Sequence, residues 1–476
     1  MSQFGELLAR VGAPADQGRE MREPATGAVI AYAPTHTVDD LDRAVEAART
    51  AQPAWAGLGH AERSRILHRA ADRVESAAEA LAELLAREQG KPLNGPGGGA
   101  RAEVGACIAW IRATADLVLE PDVVRDDVQG FSELSYRPLG VVAAIGPWNF
   151  PLMVGIWQIA PALRMGNAVV VKPSSFTPLS VLALVSVLNE ELPPSVLVAV
   201  SGDRTVGGRL SAHPDIAKVM FTGSTPTGRT IVESSARNLA RLTLELGGND
   251  AAIVLADVDP AAIAEGLFWG AFINSGQTCA AIKRLYVHAD VYEDVIEALA
   301  SIARKATLGA SMNESSVLGP IQNKNQFDIV ADLVDDAKAH GGRIVTGGTP
   351  ATELGELFYP ITLVADLEDG NRLVDEEQFG PALPIVKFTD VEEAIVSANR
   401  LDTGLGASVW SADPDAAAKV ADRLEAGTVW INAHAIPHPA VPFGGVKGSG
   451  YGLEHGIEGL KAVAAPRVIN KPPRRS

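Results

Sequence analysis

Residues 141–149, Val141-Val-Ala-Ala-Ile-Gly-Pro-Trp-Asn149, decide the fold. Five apolar residues run without a polar interruption and stop at a glycine, which is the pattern of a strand buried on both faces of a parallel sheet. Similar short runs recur at 168–172, 196–200, 218–221 and 242–244, with helical stretches between them. This alternation predicts a doubly wound α/β sheet of the Rossmann type. Ligands of such sheets lie at the carboxyl ends of the strands. Here those ends carry Gly146-Pro-Trp-Asn149, Lys172-Pro-Ser-Ser175 and Thr222-Gly-Ser-Thr-Pro-Thr-Gly228. The last opens a helix after a strand, as a phosphate-binding turn does. Its spacing is not Gly-x-Gly-x-x-Gly, so its weight comes from its position in the sheet.

Toward the N-terminus, Thr37-Val-Asp-Asp40 predicts a capped helix start, and Leu41, Val45 and Ala48 recur at helical spacing. A second helix is expected over 61–88, stopped by Gly90-Lys91-Pro92. The glycine run 95–99 follows no strand and reads as a turn. A further helix over 103–119 places Cys107 on an apolar face, where it is a packing residue. Residues 119–139 shift to β-like pieces around a Gln129-Gly130 turn and read as an inserted hairpin. Beyond Glu245-Leu-Gly-Gly248 a second alternation, with strands at 251–255, 284–287, 344–345, 384–388 and 428–431, predicts a second α/β lobe.

At 476 residues, 47% hydrophobic and 21% charged, the chain has ample core material for two lobes. A net charge of −17 disfavours nucleic acid and anionic membranes, and the basic tail 471–476 is too short to reverse it. No apolar run is long enough to span a bilayer. Two cysteines make no disulfide framework, and the N-terminus has no export signal, so a cytoplasmic location is expected.

One of those cysteines, Cys279, lies in Ile273-Asn-Ser-Gly-Gln-Thr-Cys-Ala-Ala281. A thiol after Gly, Gln and Thr, with small residues beyond it, sits in a loop that lets backbone approach a ligand, which suits a nucleophile. By itself the stretch fits a small buried hydrophobe equally well.

With PWNFP (residues 147–151), KPSS, FTGS, LELGG, GQTC, EEQFGP (376–381) and PFGG in this order, the chain resembles the aldehyde dehydrogenase superfamily over roughly residues 23–465. The resemblance implies a Rossmann-type cofactor domain (1–118 and 140–246), an α/β catalytic domain (247–447) and oligomerisation segments (119–139 and 448–476). It implies a soluble homodimer or homotetramer acting on a small aldehyde with NAD or NADP. By matching position, Cys279 is the nucleophile, Asn149 the oxyanion donor together with the Cys279 backbone N–H, and Glu245 the base that activates water against a thioester. Glu377 matches the nicotinamide-ribose contact, Phe379 packs near the nicotinamide, and Lys172 holds the adenosine ribose. Trp148, Gly223 and Ser224 belong to the same cleft. Phe150, Trp157, Phe443 and the loop 432–441, with His434 and His438, surround the substrate entrance. The two histidines are expected as loop or packing residues, and no metal site is expected.

Two positions depart from the family pattern. Gln158 stands where many relatives carry a lysine that pairs with the glutamate matching Glu454, so Glu454 is expected to be a structural hydrogen-bonding residue. Ser175 stands where many NAD-preferring relatives carry glutamate, which favours NADP. Two competing readings are a relative that passes its acyl group to coenzyme A, against which Glu245 argues, and a catalytically silent scaffold, against which the whole catalytic set argues.

Overall fold

The computed structural model describes residues 2–96 and 98–472. Gly97 of the glycine turn and residues 473–476 of the basic tail lie outside them. A six-stranded sheet carries the strands Leu197–Ala199, Ala168–Lys172, Val141–Ile145, Ile216–Thr222 and Arg241–Glu245 in that spatial order, all parallel. The short strand Gly450–Tyr451 closes it antiparallel to Leu244 and Glu245. The Val141–Ile145 strand lies in the interior of this sheet and is buried at every residue, as its unbroken apolar run requires. Helices cover both faces: one core contains Val142, Ala144 and Val171, and a second contains Val141, Ala143 and Phe221.

The second lobe is a seven-stranded sheet in the order Arg343–Thr346, Thr362–Leu367, Ala382–Phe388, Ile282–His288, Asp250–Val254, Gly406–Trp410 and Thr428–Ile431. All its pairings are parallel except that of Arg343–Thr346 at one edge, and it too has a core on each face. Two of these strands, Thr362–Leu367 and Gly406–Trp410, are not anticipated from the sequence.

The helix start at Thr37 is a capping box, with Thr37 Oγ1 accepting from Asp40 N–H (3.2 Å) and Asp40 Oδ2 accepting from Thr37 N–H (2.8 Å). The single helix expected over 61–88 is two, Gly59–Ser76 and Ala78–Gln89. Ala77 leaves helical geometry (φ −98°, ψ 5°) with no glycine or proline beside it.

The expected hairpin forms from Asp122–Asp127 and Gly130–Pro138. The C-terminal strand Ala464–Lys471 pairs antiparallel with residues 131–138 of the second hairpin strand and completes a three-stranded sheet. Among the described residues no further strand pairs with the outer edges of that sheet, and Val123, Val124, Val128 and Val468 are exposed on it.

Candidate active site

The Cys279 loop enters through three consecutive left-handed residues, Asn274 (φ 52°), Ser275 (φ 55°) and Gly276 (φ 73°). Such backbone is costly for non-glycine residues and persists only where surroundings over-determine it. Here they do. Asn274 Nδ2 donates to the Asn149 carbonyl (3.0 Å), and Ser275 Oγ donates to the Gly319 carbonyl (2.8 Å). Gln277 Nε2 donates to the Asn274 carbonyl (3.0 Å), while Gln277 Oε1 accepts from Gln322 N–H (2.9 Å). A Cβ on Gly276 would lie 2.2 Å from the Gly380 carbonyl oxygen, so only glycine allows the loop to seat against the 376–381 segment. Cys279 itself is partly exposed. Desolvation pushes its thiol up to about 12, and the nearby Lys283 ammonium works against that rise.

Asn149 is buried, and its side-chain amide donates to the Gln277 carbonyl (2.9 Å), two residues before Cys279. It does not cap the following helix. The cap position is Phe150, without a side-chain bond, and the first-turn amides of Leu152 and Met153 donate instead to Glu103 Oε1 (2.9 and 3.1 Å).

Glu245 ends its strand buried, 4% exposed. Neither carboxyl oxygen has a hydrogen-bond partner in the protein. Burial, reinforced by the Glu454 carboxylate, holds its pKa well above the ordinary carboxylate range, and its field reaches Cys279. The structural hydrogen-bonding role expected for the Glu454 side chain is corrected. Both its oxygens are buried and unbonded, and only its backbone pairs, with Phe443. Gln158 turns away to donate to Thr222 Oγ1 (3.1 Å). The cation that Glu454 feels is Lys218, which donates to Thr243 Oγ1 (2.7 Å) from the neighbouring strand.

Of the expected cofactor residues, Trp148, Lys172, Ser175, Gly223 and Ser224 stand at or just beyond strand ends of the first sheet, and Glu377 and Phe379 precede the Ala382–Phe388 strand of the second. Ser224 begins the Thr225–Ser235 helix without capping it, and its hydroxyl meets Thr227 Oγ1 (3.0 Å), so the helix amides stay open to an anion. Gly223 N–H donates to the Glu245 carbonyl (3.0 Å). Lys172 is buried at its strand end, its Nζ donating only to the Pro173 carbonyl (3.2 Å). Ser175 is exposed, and the turn before Pro178 is tied by Ser174, whose hydroxyl accepts from Phe176 N–H (3.2 Å). Trp148 and Phe379 meet edge to face, 5.4 Å between centroids. Glu377 Oε1 accepts from Gly248 N–H (3.2 Å), and a Cβ on Gly247 would meet Glu377 Oε2 at 2.4 Å. Open helix amides, a buried lysine with a single carbonyl partner and a carboxylate held at a glycine pair fit the phosphates and riboses of a dinucleotide.

On the aldehyde side, Phe150, Trp157 and Phe443 share one core with the partly buried Cys279 packed against it. Trp157 has Trp110 (5.8 Å), Phe443 (6.1 Å) and His455 (4.3 Å) around it. His455 is buried at φ 65°, neither ring nitrogen bonded, and burial pulls its imidazole down to about 4. His434 is buried against Asp250 (3.6 Å), and His438 holds its own loop by accepting from Ala440 N–H (3.2 Å).

A sequence model described as the aldehyde dehydrogenase family matches residues 13–469. The chain belongs to the aldehyde dehydrogenase family. It is similar to a phenylacetaldehyde dehydrogenase of Pseudomonas fluorescens, at 41% identity over 96% of this chain and 93% of the relative. Among solved structures it is similar to PnpE of a Pseudomonas species in complex with nicotinamide adenine dinucleotide, at 36% identity and TM-score 0.93 over 98% of this chain and 96% of that one. An NADP-dependent enzyme of E. coli matches at 32% identity and TM-score 0.93, over 97% and 96% of the two chains. The chain is an aldehyde dehydrogenase, an oxidoreductase that oxidises an aldehyde to its acid with NAD or NADP. No helix among the described residues is long and apolar enough to cross a membrane.

Four residues of this aldehyde dehydrogenase site escape sequence reasoning. Lys283 donates to the Thr278 and Cys279 carbonyls (2.7 Å each), and a lysine within the buried run 282–287 is the signal that marks it. Arg19 donates to the Ser175 carbonyl from an N-terminal strand, and Trp110 and His455 reach the aromatic wall from distant segments. Their sequence neighbourhoods carry no signal of this.

Proposed function

We propose that Cys279 attacks the aldehyde, that Asn149 Nδ2 and the Cys279 backbone N–H stabilise the oxyanion, and that Glu245 is the base. The observation that carries this reading is the buried Glu245 carboxyl, free of any protein hydrogen bond and electrostatically coupled to Cys279. A buried carboxyl whose pKa is raised is suited to proton transfer near neutrality. The partly exposed thiol gives its proton to solvent as sulfur bonds to the carbonyl carbon, giving a thiohemiacetal oxyanion. The bound dinucleotide supplies the hydride acceptor. Once the thioester has formed, Glu245 takes a proton from water, whose oxygen displaces sulfur and yields the acid. Glu245→Gln tests this: a burst of reduced cofactor should persist while steady-state turnover is lost, and equal loss of both phases would overturn the role. Coenzyme A as acceptor is disfavoured by the same carboxyl, and acyl-CoA formation by the purified enzyme would reverse that judgement.

Glu377 and Lys172 are read as the ribose contacts, with Trp148, Phe379, Gly223 and Ser224 lining the rest of the dinucleotide cleft. Ser175, with Arg19 beside it, favours NADP. A glutamate there would repel the 2′-phosphate, by about 4 kcal/mol for unit charges ~4 Å apart at an effective dielectric near 20, whereas Arg19 brings a cation to the same turn. The aromatic wall of Phe150, Trp157 and Phe443 supports an apolar, uncharged aldehyde. The first sheet with its helices is read as the cofactor domain, the second as the catalytic domain, and the three-stranded sheet as the oligomerisation element of a cytoplasmic homodimer or homotetramer. Its open edges and exposed valines support the last reading.

A further inference from the structure

Lys91 and Glu103 form an ion pair with no solvent exposure on either side chain, Nζ to Oε2 at 2.5 Å. A pair of this kind gains little stability over a well-packed apolar pair, because desolvation consumes most of the attraction. What the pair does is visible in its remaining bonds. Lys91 Nζ donates to the Asn149 carbonyl (2.9 Å) and stands 3.7 Å from the centre of the Phe150 ring. Glu103 Oε1 takes the Leu152 and Met153 amides. Together they grip the chain on both sides of Pro151, the point where an irregular strand end becomes a helix. The Asn149 carbonyl also accepts from Asn274, and its amide reaches Gln277, so the segment held by the pair is bonded directly to the Cys279 loop.

We propose that Lys91 and Glu103 are positioning residues that set the Asn149 amide relative to Cys279. The proposal rests on the reading of Asn149 as an oxyanion donor. An oxyanion donor works only when it is preorganised at the place where charge develops, and displacements of about 1 Å are enough to cost two orders of magnitude.

The test is a double-mutant cycle on the full-length enzyme. Asn149→Ala should lower kcat/KM for the aldehyde by about 100- to 1000-fold. Lys91→Met, and the charge-balanced double variant Lys91→Met/Glu103→Gln, should each lower it by roughly 10- to 100-fold with dinucleotide affinity within about twofold of the parent. Adding Lys91→Met to Asn149→Ala should cost almost nothing further, since the group being positioned is gone. If the two losses multiply, or if both Lys91 variants act like the parent, the positioning role is wrong while Asn149 keeps its own. If Asn149→Ala is itself as active as the parent, the oxyanion reading fails first. Failure of both Lys91 variants to fold would make the pair a fold determinant and overturn the proposal.

Discussion

Lys283 and Glu377 sit 3.3 Å apart, ammonium to carboxylate, with the Cys279 loop held by the same ammonium through two carbonyls at 2.7 Å. The only cation among the principal influences on the Cys279 thiol therefore also neutralises the carboxylate read as a ribose contact. Because a nearby positive charge favours thiolate, Lys283→Met should move ionisation of Cys279 further above its already raised value of about 12. Iodoacetamide should then label Cys279 roughly three- to tenfold more slowly at pH 8. Mass spectrometry of the labelled peptide measures this, and an unchanged or faster rate removes Lys283 from the electrostatics of the thiol.

Glu454 bears on pH dependence. Burial pushes it up to about 8, and its charge helps to raise Glu245. Turnover that needs Glu245 ionised should rise with pH above the ordinary carboxylate range. Glu454→Gln removes the like charge, so the rising limb of kcat should move to lower pH. Stability carries the opposite sign. A carboxyl whose folded value is raised from 4.5 to about 8 stabilises most below the lower value, and that contribution is lost as pH climbs to the upper one. The thermal midpoint should fall over this range in the parent and less steeply in Glu454→Gln. A limb that shifts upward, or parallel melting curves, would contradict the coupling.

Cofactor selection should answer to two residues at one turn. Ser175→Glu is expected to lower the NADP to NAD ratio of kcat/KM by at least about tenfold, through repulsion of the 2′-phosphate. Arg19→Ala should lower the same ratio without adding repulsion, and fluorescence titration should locate the loss in NADP binding. A parent enzyme that ignores NADP, or a ratio insensitive to both changes, returns the preference to NAD.

The three-stranded sheet predicts assembly. Light scattering at micromolar concentration should give a dimer or tetramer, and charges at Val123 and Val124, both 58% exposed on an outer strand, should shift it toward monomer. A parent that is monomeric throughout would contradict the assignment.

Much of this molecule was legible where chemistry and local order coincide. The strands at 141–145 and 168–172 match to the residue, because a strand buried on both faces is written as an uninterrupted apolar run. Thr362–Leu367 was missed: Asp366, at φ 60°, breaks the run with a polar residue in unusual backbone. The bend at Ala77 left no mark, since Glu75, Ser76, Ala77 and Ala78 all tolerate helix. Cys279, Glu245 and Asn149 are nameable from the sequence as candidates because each lies in a motif readable in one stretch. Lys91 was read as a helix stop and Glu103 as the start of a helix, because what joins them to Asn149 is packing between segments about fifty residues apart in sequence. Glu454 was misjudged for a related reason: a glutamate in a loop near the C-terminus gives no hint that its carboxyl is sealed off beside two titrating neighbours.

The strained His455 has a consequence for selectivity. With its imidazole pulled down to about 4, the ring stays uncharged where Glu454, pushed up to about 8, takes up and loses its proton. The aromatic wall proposed for the aldehyde and the Glu454 carboxyl therefore titrate in separate ranges. Mild acidification is expected to lower turnover while leaving the order of preference among aldehydes unchanged.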